Sequence, residues 1–208
     1  MSNFLITWYG ITDIRSAMGF EIQGPILGAL ATGRFDSATI LAYTKKHDFS
    51  PDELQKQKDA IDFLENHQSD LWKMTREESF QFVDVLANTP SGHQLFLGWL
   101  ERQLAKRDIR VSITLQECFL RELNDTEGIY FAAVKALESI TETNVDITFF
   151  LSPGTPVMAF SWALAMMASP KRSIKLLASP DFRKGVQTID LPESVLAHIE
   201  KGRCLRHE

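Results

Sequence analysis

The sequence predicts an α/β chain: a Rossmann-like three-layer sandwich with a mostly parallel sheet and extra helices inserted between its second and third strands. Three observations carry this. Short apolar or alternating runs recur between stretches of helical periodicity, the alternation that parallel strands with crossover helices produce. The first run, Phe4 to Tyr9, lies almost at the N-terminus and is followed by Gly10 and polar residues, as at the first strand of a doubly wound sheet. Between 50 and 107 there are three helical segments where a simple crossover needs one, so two of them are additions.

Composition bounds the rest. The chain has 208 residues, 44% hydrophobic and 24% charged. That suits one domain spanning 1–208, with the helical elaboration at about 50–107. A net charge of −5 and a pI near 5.6 speak against a broad basic surface for duplex DNA. The two cysteines, Cys118 and Cys204, have no metal-ligand spacing and fit a reduced, cytoplasmic compartment. The N-terminus lacks the basic segment and long apolar run of a signal peptide, and the run Val157 to Ala168 is too short to span a bilayer. No Walker loop, G-x-S-x-G, H-E-x-x-H, C-x-x-C or G-x-G-x-x-G occurs, so no metal or cofactor is expected and no catalytic residue is assigned.

Taken in order, Gly10 to Arg15 reads as the loop after the first strand, and Ser16 to Gln23 as further loop. Gly24-Pro25 opens a short helix, with Gly33 at its C-cap. Ala38 to Tyr43 is the second strand, followed by Lys45-Lys46-His47 in a solvated loop. Ser50-Pro51-Asp52-Glu53 and Thr75-Arg76-Glu77-Glu78 are capping boxes opening two helices, with Leu54, Ile61, Leu64 and Leu71, then Phe80, Val83 and Leu86, as their apolar stripes. Asn88 to Gly92 breaks the chain before a third helix carrying Phe96, Trp99, Leu100 and Leu104. His67 and His93 are read as structural or surface residues. Arg110 to Phe119 alternates as the third strand. Asn124-Asp125-Thr126 leads into a helix to Ile140, with Asp125 or Thr126 as its N-cap.

The most informative stretch is Val145 to Ala168. Val145, Ile147, Phe149, Phe150 and Leu151 make a buried strand, Ser152-Pro153-Gly154-Thr155-Pro156 breaks it, and the segment from Val157 on is apolar almost all round, predicting an interior helix. Gly154 permits positive φ and close approach of a ligand; Thr155 suits the N-cap and Pro156 the first helical position. A strand ending in small residues at a helix N-terminus aims free N–H groups at one point, an anion site in outline. Beyond it, Ser169-Pro170 ends the helix, Ile174 to Ala178 and Val186 to Leu191 read as strands separated by Ser179-Pro180-Asp181, Pro192-Glu193-Ser194 opens a last helix, and Gly202 to Glu208 carries no core pattern.

The string Ser152–Pro156 resembles the SPGTP-type loop of CARF domains, the CRISPR-associated Rossmann-fold sensors. Trp8, Gly10, Asp13 and Arg15, followed by Gly24-Pro25, are similar to the first-strand pattern of the N-terminal sensor domains of some sigma-54-dependent transcription activators; Ile129-Tyr130 also fits. The resemblance implies a homodimer that binds a cyclic oligoadenylate or related RNA fragment at the strand C-termini. Three loops would meet there, giving Gly10, Thr12, Asp13, Arg15, Asn124, Thr126, Ser152, Pro153, Gly154, Thr155 and Pro156 as candidate ligand-binding residues. Asp13 and Arg15 could instead pair locally, and Trp8 reads as core. A full activator of this type would carry an ATPase and a DNA-binding module, and neither fits in this chain; it is expected to be the sensor part of a longer protein or a stand-alone sensor with a transcriptional or defence output. The alternative is a metal-independent ring nuclease, for which the sequence places no histidine or lysine as acid or base.

Overall fold

A computed structural model describes residues 2–21, 23–46, 48–169, 173–179 and 185–195, with positions 68, 69 and 72 described by backbone alone. His47, Pro170, Pro180-Asp181, Cys204 and the tail from Gly202, all read from the sequence above, lie outside the described residues. Strands β1 (Ser2–Trp8), β2 (Ser37–Lys45), β3 (Ser112–Leu120), β4 (Val145–Phe150), β5 (Ile174–Ala178) and β6 (Gln187–Thr188) form one sheet in the order β3-β2-β1-β4-β5-β6. All neighbours pair in parallel except β5 and β6. This is the α/β class predicted, and the order reverses between β1 and β4, the place where a doubly wound sheet opens a crevice at its strand C-termini.

The helices are α1 (Ile11–Met18), α2 (Pro25–Thr32), α3 (Pro51–Asn66), α4 (Arg76–Leu86), α5 (Pro90–Lys106), α6 (Thr126–Glu138) and α7 (Pro156–Ala168), with a 3₁₀ segment at Gln68–Lys73. One face of the sheet packs Leu5, Ile40 and Phe150 against α1, α2 and α5. The other packs Ile6, Trp8, Leu41 and Phe149 against α6 and α7. Alternation along each strand sends neighbours to opposite layers, which is why the central strands are apolar on both sides. Trp8 is core, stacked in tilted fashion on Trp162.

The capping boxes at Ser50 and Thr75 form as predicted, each cap accepting from the N–H three residues on. Helix α5 packs on α1 and α2 and so serves as the crossover; α3 and α4 pack on each other as the addition. Four sequence expectations are corrected. The segment read as loop from Gly10 to Gln23 contains α1, because Gly10 and Asp13 cap it and Ile14, Ala17 and Met18 bury one face. Leu54 and Phe80, assigned to inward stripes, are exposed; α3 buries Gln57, Ala60 and Leu64 instead. Helix α7, predicted interior, leaves Phe160 and Met167 exposed. The last strand shrinks to Gln187–Thr188 and runs antiparallel.

Candidate functional site

A cleft of about 330 Å³ opens over the C-terminal ends of β1, β2 and β4. Its floor is Tyr9, Gly10 and Tyr43, its rim includes Ile11 and Leu123, and one side is the Gly154–Thr155 turn with Met158. The opposite wall is Asp84, Ala87 and Asn88, where α4 turns into α5. That wall comes from the helical insert and was not foreseen. Asn88 holds φ of 61° and its carbonyl accepts from Lys45 N at 3.2 Å, which docks the turn on the end of β2.

The Ser152–Pro156 turn is built for close approach. Gly154 has φ of 90°, in the left-handed region, and a Cβ there would lie 2.6 Å from Met158 Sδ. A Cβ on Gly10 would lie 2.8 Å from Gly154 N, so the two loops meet backbone to backbone across the reversal point. Thr155 caps α7, its Oγ1 accepting from Met158 N at 3.3 Å, and Pro156 takes the first helical position. Gly154 and Pro156 are exposed and Pro153 is buried. Ser152 faces away: its hydroxyl donates to Ser179 O at 3.1 Å and accepts from Ser179 N, tying the turn to the end of β5.

The β1–α1 junction is organised differently. Asp13 is wholly buried; Oδ2 accepts from Gly10 N at 3.2 Å and Oδ1 from Ile26 N at 3.0 Å. One carboxylate therefore caps both α1 and α2, and Gly24 is required because a Cβ there would lie 2.6 Å from Asp13 Oδ1. Burial raises the Asp13 pKa to about 7, against the two N–H bonds, which lower it. Arg15 makes no pair with Asp13. It sits over the Phe20 and Phe80 rings, at 5.4 and 5.0 Å, with Glu21 at 3.8 Å.

Of the candidate residues, Gly10, Gly154 and Thr155 line the cleft together. Thr12 is half-buried in the first turn of α1, beside the cleft but not lining it. Asn124 and Thr126 are exposed, while their neighbour Leu123 reaches the cleft; Asp125 is the N-cap of α6 and accepts two bonds from the Arg121 guanidinium, at 3.0 and 2.8 Å, and one from Arg121 N at 3.2 Å. No lysine or arginine lines the cleft among the described residues; its one charged group is Asp84.

Beneath the cleft runs a buried polar chain. His93, fully buried on α5, has Nδ1 2.5 Å from Tyr9 Oη and Nε2 2.9 Å from Thr44 Oγ1. Thr44 Oγ1 donates to Ala42 O at 3.3 Å, which assigns the proton to Nε2 and leaves Nδ1 to accept from the tyrosine. Burial lowers the His93 pKa to about 4 and pushes the Tyr9 hydroxyl far up, so both are neutral near pH 7. A lone histidine in sequence gave no sign of this pairing.

A wider groove of about 690 Å³ lies at the other end of the sheet, among Asp36, Glu101 and Arg110. It faces the N-terminal ends of the strands and has no helix N-terminus directed into it, so it lacks the features of a doubly wound ligand site.

Fold and cleft place the chain among doubly wound α/β domains with a crevice at the reversal of strand order. No protein-family model matches the chain, and no curated protein matches it. Among solved structures, Csm6 of Enterococcus italicus, determined bound to cyclic hexa-2'-fluoro-hexa-dAMP, is similar in fold, with a TM-score of 0.51 and 14% identity over 97% of this chain. The match spans 39% of the Csm6 chain, and at this identity the likeness is one of fold. Among the described residues no helix is long and apolar enough to cross a membrane, and no cluster of histidine, cysteine and carboxylate side chains suits a metal ion.

Proposed function

We propose that the chain is a CARF-type sensor domain that binds a cyclic oligoadenylate or a related RNA-derived phosphodiester in the cleft over β1 and β4, working as a cytoplasmic homodimer. The observation that carries the reading is the Gly154 turn, left-handed and exposed, set against Gly10 ahead of α7. It leaves the first-turn N–H groups of α7 and of α1, Ile11 and Thr12 among them, beyond the reach of intrahelical acceptors and available to phosphate oxygens. The likeness in fold to Csm6, whose structure holds a cyclic hexanucleotide, supports the ligand class.

Without lysine or arginine in the lining, recognition within one chain rests on backbone donors for phosphate and on Ile11, Tyr43, Leu123 and Met158 for base or sugar surface. Binding is then expected to depend weakly on salt, since few counterions are displaced by protein cations. Ligand capture would bias the insert through the Asp84–Asn88 wall and so control a transcriptional or defence output, with the sigma-54 type of regulator as the specific form. The test is calorimetric titration with cyclic tri-, tetra- and hexa-adenylate, followed by mass spectrometry of the nucleotide. Tight binding with the ring intact is the expected result. Linear products would convert the sensor into a ring nuclease, and no heat with any of the three would overturn the reading.

A further inference from the structure

The cleft is electrically polarised. On one side α7 and α1 begin, so the positive ends of two helices face the Gly154 turn. On the other side α4 ends; its last turn carries Asp84, and Asn88 lies one turn further on. An aspartate at the negative end of a helix is destabilising. Asp84 is exposed, and among the described residues its carboxylate has neither a hydrogen bond nor an ion pair to offset that cost. It lines the cleft instead. We propose that Asp84 is a specificity residue, accepting a hydrogen bond from an N–H or O–H donor that the ligand carries beside its phosphate. In an oligoadenylate that donor is the exocyclic amine of the base or a ribose hydroxyl. The helical insert is then the part of the chain that reads the nucleoside.

Charge fixes which way round the ligand lies. A carboxylate offers acceptors only, so it repels phosphate and is satisfied by a donor. The phosphate is directed to the Gly154 turn and the donor to Asp84. The cleft is also small. Its 330 Å³ or so stands at the lower end of the roughly 300–1,000 Å³ of small-molecule sites, so one nucleoside with its phosphate enters it rather than a whole ring. The wall is fixed before any ligand arrives. Thr89 Oγ1 donates to Leu86 O at 2.8 Å and accepts from Gly92 N at 3.1 Å, which closes the α4–α5 corner. Asn88 O holds that corner to β2, and His93 holds it to Tyr9 and Thr44 beneath. An acceptor on a backbone already in place costs little ordering on binding, and a ligand lacking the donor leaves it unpaired. The role of Asp84 rests on the phosphodiester reading above and adds the chemistry of the ligand's other half.

The experiment is calorimetry of the whole chain with cyclic tri-, tetra- and hexa-adenylate, each beside two analogues. The inosinate replaces the amine by oxygen, and the 2'-fluoro form removes the ribose donor. The parent is expected to bind the adenylate at least about tenfold tighter than one of the analogues. Asp84→Ala should weaken the adenylate by about 10- to 100-fold, as for a hydrogen bond to a charged group, and bind that analogue equally well. Its thermal midpoint should match the parent's. Asp84→Asn keeps an oxygen acceptor and adds donors, so it should admit the inosinate where the amine is the partner. Discrimination lost against the inosinate assigns the amine; discrimination lost against the 2'-fluoro form assigns the hydroxyl. Three results overturn the inference and leave the sensor reading standing: a parent that binds both analogues as tightly as the adenylate, an Asp84→Ala chain that binds the adenylate at least as tightly as the parent, or one that loses all three ligands by the same factor. A parent that gives no heat with any of the three adenylates removes the sensor reading and the role of Asp84 with it.

Discussion

Two strand-to-helix junctions meet at the reversal of the sheet, and they solve the same geometric problem with opposite chemistry. At β4–α7 five residues make the turn, and the turn is capped by a threonine, exposed at Gly154, and open to solvent on its cleft side. At β1–α1 only two residues, Tyr9 and Gly10, separate strand from helix, and the polar group of the junction, Asp13, is sealed inside. The comparison teaches that a polar motif at a strand end is not automatically a ligand motif. Asp13 spends both oxygens on helix N-termini, whereas the Gly154 turn leaves the first N–H groups of α7 unclaimed by side chains other than Thr155.

The sharpest break of that contrast is Gly154→Val. The β-branched side chain meets a φ of 90° and Met158 Sδ, so the variant should lose about 1–3 kcal/mol in denaturant unfolding and all measurable heat in the nucleotide titration. Retained affinity would move the site away from the turn. Gly10→Val attacks the same contact from the other junction. Its side chain drives into Gly154 N, and because both backbones are held by the sheet, the expected outcome is a thermal midpoint lowered by several degrees together with weakened binding. Full stability in Gly10→Val would show that the two loops do not constrain each other.

How much of this was legible follows from how local each determinant is. Ser50 with Glu53, Thr75 with Glu78, and Thr155 with Pro156 carry their signals within four residues, and each helix start appears where it was read. Helix α1 was missed because its cap is a glycine and its box partner is the aspartate of a motif that reads as a turn. The reason for that aspartate lies at Ile26, thirteen positions on in sequence. The α4–α5 wall of the cleft was invisible for a stronger reason: Asp84 and Asn88 gain their place only after the insert folds back onto Lys45. The apolar run of α7 predicts a helix enclosed on every side, and nothing in that run marks the stripe at Phe160 and Met167 that the fold leaves bare.

The sealed carboxylate gives a pH signature that the open turn lacks. Folding raises the Asp13 pKa from 3.8 to about 7, so the folded state holds the proton more tightly. Its stabilising contribution is complete below the unfolded value and is lost as pH rises through about 7, by roughly 2–4 kcal/mol across the window. His93 acts in the opposite sense. Its pKa falls from 6.5 to about 4, so stability from this group is lost as pH falls through that range. The two slopes oppose each other between about pH 4 and 6.5. In urea titrations against pH, Asp13→Asn should leave stability climbing with pH over that interval, and His93→Gln should leave it declining toward pH 7. Parallel profiles for Asp13→Asn and the parent would show that the carboxylate is ionised in the fold across the whole range, with its two N–H partners outweighing burial.

The smallest effect is assigned to Arg15, and it separates a structural motif from a ligand motif most cleanly. On charge alone an arginine after the first strand is the natural phosphate contact. In the folded chain it belongs to the β1–α1 layer, sandwiched with Phe20 and Phe80 and absent from the cleft lining. A partly exposed cation–π contact contributes about 0.5–1 kcal/mol, so Arg15→Ala should cost about that much in unfolding free energy. It should leave both the affinity for cyclic oligoadenylate and its salt dependence within error of the parent. A tenfold loss of affinity with unchanged stability would mean that Arg15 swings from the rings to the nucleotide on binding, and the β1–α1 junction would then share the recognition assigned to the β4–α7 turn.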